Sequence, residues 1–159
     1  MNGVKDQTLI NVVVTVLVLV FLLRRQLSAR PLRERSVIGL VLVALGLVGS
    51  AQFFAAHHPG AGDIALLALS LVIGCALAVV RALWTIRLWV RDGRTLRQGN
   101  ALTALLWVVS LGQHLAVDKV VLAGAGSATI LLYFGVVLTV QRQVLVLRAR
   151  TSSVLSDAS

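Results

Sequence analysis

Apolar residues run along this chain in long blocks, and short basic stretches separate them. Five blocks approach the roughly twenty residues a helix needs to cross the hydrocarbon of a bilayer. The first has its core at 9–23, between Asp6 and Arg24. The second is 36–56. The third starts at Ile64 and stays apolar to Val80. The fourth is 100–117, and the fifth, 120–140, ends at Gln141 and Arg142. The third is expected to continue as helix, since Arg81-Ala-Leu-Trp-Thr-Ile-Arg-Leu-Trp-Val has no breaker before Asp92-Gly93. The expected spans are therefore 7–23, 36–56, 64–90, 100–117 and 120–140. They form a single domain over 1–150, followed by a disordered cytoplasmic tail at 151–159. The first block is too long for the apolar part of a signal peptide and runs into Arg24 and Arg25, so it reads as a retained span.

Composition supports this all-α membrane fold, a five-transmembrane-helix bundle. Hydrophobic residues make up 58% of the chain and mean hydropathy is +0.92. Charged residues are 13%, about half the share in soluble domains. A disordered chain, a secreted disulfide scaffold and a soluble nucleic-acid binder are excluded. Cys75 is the single cysteine, which leaves neither a disulfide within the chain nor a Cys-x-x-Cys pair.

Charge then sets the orientation. Net charge is +9, and the basic residues sit between the apolar blocks. Arg24, Arg25, Arg30, Arg33 and Arg35 follow the first block. Arg81, Arg87, Arg91, Arg94 and Arg97 follow the third. Arg142, Arg148 and Arg150 follow the fifth. The other side of the membrane receives only Lys5 and Lys119. The positive-inside rule places the N-terminus outside and the C-terminus in the cytoplasm, in a bacterial plasma membrane. The inner arginines suit anionic headgroups, and nucleic acid is not expected as a partner. Two inner segments are alike: Arg-Pro-Leu-Arg-Glu-Arg-Ser at 30–36 and Arg-Thr-Leu-Arg-Gln-Gly-Asn at 94–100.

Helix boundaries have their own signals. Ser36 and Asn100 are N-cap residues, and Asp63 can cap the third helix. Residues 57–63 form an outer turn. Asp92-Gly93 reads as the end of the third helix, with Gly93 at positive φ. Trp84 and Trp89 suit the headgroup level.

Chemistry-bearing residues are few. No Asp, Glu, Lys or Arg falls in the centre of a span, which disfavours a proton-driven pump. The first block offers only Asn11 and Thr15. Ser70, Gly74, Ala78 and Ala82 recur every four residues, a small-residue ridge for helix packing within the bundle or in a homo-oligomer. Gly46 with Ser50, and Gly124 with Ala128, repeat the pattern. Gln52, Gln113, Ser110 and Asn11 can bond between helices or line a polar path. His57, His58 and His114 lie at the outer face with Asp63 and Asp118, which makes the histidines candidate ligands for a metal or a haem. Neighbours on a helix diverge by about 100°, so His57 and His58 cannot chelate from one face. The three read as interfacial residues without a cofactor. No P-loop, Gly-x-Ser-x-Gly or His-Glu-x-x-His motif occurs.

Gly74, Arg87-Leu88-Trp89, Asp92-Gly93, Gly99 and Leu106-Trp107, with the basic segment ending in Arg30-Pro31, resemble small actinobacterial multi-spanning membrane proteins of unknown function grouped as CcdC-like. The resemblance implies a plasma-membrane protein without assigned catalysis. Three functions remain open: a non-enzymatic protein that packs against itself or another membrane protein, a small transporter or channel subunit, and a metal or haem protein built on the outer histidines.

Overall fold

A computed structural model describes residues 13, 16–17, 19–21, 23–24, 27–32 and 37–157. The described residues from 13 to 24, and Leu27, are helical. Four complete helices follow: α1 (Val37–His57), α2 (Ala61–Val80), α3 (Ala101–Val117) and α4 (Ala125–Asp157). Three stretches, Val37–His57, Ala61–Thr85 and Ala125–Ser152, are long and apolar enough to cross a membrane. The α3 helix has 17 residues, about 25 Å at 1.5 Å per residue, and falls short of a hydrocarbon layer of about 30 Å.

The fold is not purely helical. A three-stranded antiparallel sheet in the order β1-β3-β2 is built from Arg30–Pro31 (β1), Ile86–Arg91 (β2) and Arg94–Gly99 (β3). The helix expected over 64–90 ends at Val80, loosens into a π-helical turn at Arg81–Thr85 and becomes strand at Ile86. Two features account for the change. Ile86, Trp89 and Val90 favour extended backbone. Asp92 and Gly93 both take positive φ, 51° and 67°, as a two-residue type I′ hairpin turn requires. The Asp-Gly pair thus closes a hairpin instead of capping a helix. The two similar basic segments are neighbours in the sheet: Arg30 lies opposite Arg97, Pro31 opposite Leu96, and the Leu32 amide donates to the Thr95 carbonyl at 2.8 Å.

Caps explain the remaining boundaries. Asn100 Oδ1 accepts the Thr103 amide at 3.0 Å and starts α3. Ser36 lies outside the described residues. Asp63 sits in the first turn of α2, whose start is Ala61, and its Oδ2 accepts the Gly60 amide at 2.9 Å. Asp118 Oδ1 accepts the Gly126 amide at 2.7 Å, which delays the last helix to Ala125, against an expected start at 120. That helix then runs to Asp157, through the segment expected to be a disordered tail.

The α4 helix is the axis of the bundle, with α1, α2 and α3 packed along it. Gly39, Gly46 and Ser50 are the buried residues of α1. A Cβ at Gly46 would lie 2.1 Å from the Leu132 backbone nitrogen, and one at Gly135 would lie 2.5 Å from that of Val43. Those two glycines let the α1 and α4 backbones meet. Ala78, Trp107, Leu111, Tyr133, Phe134 and Val137 form the central core. Beyond it, Ala82, Ile86 and Leu145 join the sheet to α4, with Leu32, Leu88 and Val144 against them.

Candidate functional site

The surface of this bundle is apolar and much of its interior is polar. Leu40, Val72 and Leu105 are each more than half exposed, whereas Ser70, Thr85, Thr103, Ser110, His114, Gln141 and Arg81 are buried. Spacing along the helices produces this seam. Thr103, Trp107, Ser110 and His114 fall at intervals of four, three and four, so they share the buried face of α3. On α2 the expected ridge of Ser70, Gly74 and Ala78 turns inward, and Ala82 in the π-turn is buried too. The ridge is occupied within the chain: a Cβ at Gly74 would lie 2.5 to 2.7 Å from the Tyr133 phenol.

The half of the seam nearer the 118–124 turn is closed by hydrogen bonds. His114 Nε2 lies 3.2 Å from the Gly126 carbonyl, which only accepts, so Nε2 carries the proton. Nδ1 of the neutral ring then accepts the Ser70 hydroxyl at 2.9 Å. The imidazole stacks on Tyr133 with centroids 4.2 Å apart. The Tyr133 hydroxyl donates to the Ser110 carbonyl at 2.6 Å and accepts Gln113 Nε2 at 3.1 Å. Gln113 also donates to the Ser70 carbonyl at 3.0 Å. The side chains of Ser70, Ser110, Gln113, His114 and Tyr133 all have partners, and on this side of the bundle only Ser50 Oγ of α1 is buried without one among the described residues.

The half nearer the sheet is different. Arg81 is 0% exposed. Its Nε donates to Gln141 Oε1 at 3.1 Å, its Nη1 donates to the Leu106 carbonyl at 3.1 Å, and its guanidinium carbon lies 4.2 Å from the centroid of the Trp107 ring. Arg81 Nη2 and Trp107 Nε1 are buried with no hydrogen-bond partner among the described residues. A donor left unsatisfied in this way costs about 1–3 kcal/mol, more where it is charged. Among the described residues no carboxylate is bonded to Arg81. Thr85 and Thr103 join hydroxyls at 2.8 Å beside it, and Arg148 Nη1 donates to the Ala82 and Ile86 carbonyls.

Arg81 was expected among the exposed inner arginines, and its burial is a correction. A signal for it existed: Gly74, Ala78, Arg81 and Thr85 are spaced four, three and four, on the ridge face itself. Trp107 and Gln141 likewise lie in register with Ser110 and Tyr133. Gln52, a proposed member of the polar path, is exposed, and Asn11 lies outside the described residues.

The histidines are not brought together. His57 and His58 are exposed at the end of α1. His57 stacks on Phe53 at 4.3 Å with Nδ1 3.0 Å from the Phe53 carbonyl, and His58 has φ 45°. His114 is buried in the bundle, away from His57 and His58. Among the described residues no three His, Cys, Asp or Glu side chains gather in a metal-binding group.

The remaining inner arginines frame the sheet. Residues opposite each other in a ladder share a face. Ile86 and Leu88 turn towards α4. Arg87, Trp89 and Arg91 therefore share the other face with Gln98, Leu96 and Arg94. Arg87, Arg91 and Arg94 are exposed, as are Arg24 and Arg30, and Arg97 is half-buried. Arg91 approaches Asp92 at 3.8 Å, an exposed pair of little weight. Arg25, Arg33 and Arg35 lie outside the described residues. No protein-family model, no curated protein and no solved structure matches this chain.

Proposed function

We propose that the chain is a non-enzymatic, multi-pass protein of the bacterial plasma membrane, with its helices embedded and its basic sheet against the anionic headgroups of the cytoplasmic leaflet. The observation that carries this reading is the inverted distribution of polarity. Leucines and valines cover α1, α2 and α3 on the outside while serines, threonines, a glutamine and a histidine are turned inward. In water the exposed apolar wall would drive aggregation. In lipid it is the favourable solvent contact, and every polar group does best bonded inside. Arg87, Arg91 and Arg94 with Trp89 on one face of the sheet supply the matching headgroup surface, at about 1 kcal/mol for each basic residue. The small-residue ridge is used against Tyr133, so association with a second copy or another membrane protein would run through the exposed α1 and α2 faces.

Reporter fusions at Gly60, Gly93 and Ser159 test the orientation. A cytoplasm-active reporter at Gly93 and at Ser159, with a periplasm-active one at Gly60, is expected. A periplasm-active fusion at Gly93 contradicts the reading. A small transporter or channel subunit is the second reading, favoured by the buried polar seam. Solute flux through liposomes carrying the pure protein would select it.

A further inference from the structure

The geometry points to a buried oxoanion site at the junction of α2 and the sheet, where Arg81 Nη2 and Trp107 Nε1 hold one phosphate-type group. Both atoms are donors only, both are buried, and both lack an acceptor among the described residues. They belong to one stacked pair, with the guanidinium carbon 4.2 Å from the indole centroid. The other donors of Arg81 are directed by Gln141 and Leu106, which holds the fork in place. A water could accept from these N–H groups and would leave the cation without a counter-charge among the described residues. A singly charged phosphate ester supplies acceptor oxygens and balances Arg81 one for one, in the geometry guanidinium groups favour.

The backbone gives independent support. Arg81 opens the five-residue π-turn at Arg81–Thr85, and π-helical turns recur at functional sites because their hydrogen-bond ladder is already loosened. Leu83 and Trp84 in the same turn face outward, Trp84 at 81% exposure. The turn thus has one face at the surface and carries Arg81 on the other. Two sources present this chemistry: the phosphodiester of a phospholipid headgroup and free inorganic phosphate. Only the first depends on the membrane reading above.

Indole ¹⁵N–¹H spectra of the full chain in neutral detergent provide the test, with Trp107 assigned through Trp107→Phe. Inorganic phosphate, or phosphatidylglycerol added to the micelles, should move the Trp107 Nε1–H resonance downfield, and chloride at equal ionic strength should not. A response to phosphate alone identifies a free-anion site. A response to phosphatidylglycerol alone identifies a headgroup site. Arg81→Gln should abolish the shift. Trp107→Phe keeps the stacked ring and loses one donor, so phosphate or phosphatidylglycerol, followed by ³¹P linewidth, should bind about tenfold more weakly. No shift with either probe, an equal shift with acetate, or a shift that persists in Arg81→Gln overturns the assignment. If Arg81→Gln does not fold, undiminished binding by Trp107→Phe overturns it instead.

Discussion

The two halves of the buried seam are built from the same helices and end in opposite states. Around His114, Ser70, Ser110, Gln113 and Tyr133 interlock, and their side-chain donors and acceptors find partners. Around Arg81, a full charge is enclosed, two donors are left without acceptors among the described residues, and the helix widens as it passes. In an apolar solvent a closed network fixes how helices pack, because each group's alternative is to remain unpaired. An open one retains binding capacity. The first half accounts for packing, and the second is where the proposed oxoanion site lies.

The largest effect is expected at the packing half. Gly74→Leu would drive a side chain into the Tyr133 ring, which the His114 stack and the Ser110 and Gln113 bonds hold in place. A loss of about 3 kcal/mol follows from overpacking, read as a lower midpoint in detergent melts. A parent-like melt would mean that Tyr133 moves freely and that the half is not closed.

The smallest effect is expected outside both halves. Replacing His57 and His58 together by Gln touches an exposed stack on Phe53, the His57 contact with the Phe53 carbonyl and the exposed His58 at positive φ. Stability should stay within about 0.5 kcal/mol of the parent, and metal content after gentle purification should not change. Loss of stoichiometric zinc, copper or haem from the variant would restore the outer histidines as a site.

The sequence made some of this arrangement legible. Helices at α1, α2 and α3 follow from apolar runs with recognisable ends, and Asn100 marks the start of α3 within a residue. The face of α2 carrying Ser70, Gly74 and Ala78 is legible from spacing, although the partner, Tyr133 of the same chain, is not. The sheet was missed because Arg81 to Val90 contains no helix breaker. The type I′ preference of Asp92-Gly93, together with Ile, Trp and Val before it, was the competing signal. Arg81 was missed because it stands where an apolar run meets a basic one, and composition alone assigns such a residue to the loop. Its spacing from Gly74 and Ala78 assigns it to the interior. His114 was placed at the outer interface from its distance along α3, but its inward direction depends on the phase of Thr103, Trp107 and Ser110. Gly46 is legible from its spacing with Ser50, but its contact with Leu132, like that of Gly135 with Val43, joins distant parts of the chain, so no local pattern reveals the partner.

The division between a closed and an open half is tested most directly by two apolar substitutions melted side by side in neutral detergent without phosphate. His114→Leu removes a member of a completed network and leaves the Ser70 hydroxyl without its imidazole partner. It should lower stability by about 1–3 kcal/mol. Arg81→Met removes a buried charge that has no carboxylate partner among the described residues and replaces it with an apolar chain of similar reach. It should melt with the parent or above it, because the desolvation cost of an uncompensated buried charge is relieved and outweighs the loss of the bonds to Gln141 and Leu106. A midpoint for Arg81→Met below that of His114→Leu would contradict the account, since the arginine would then be a structural member of the core.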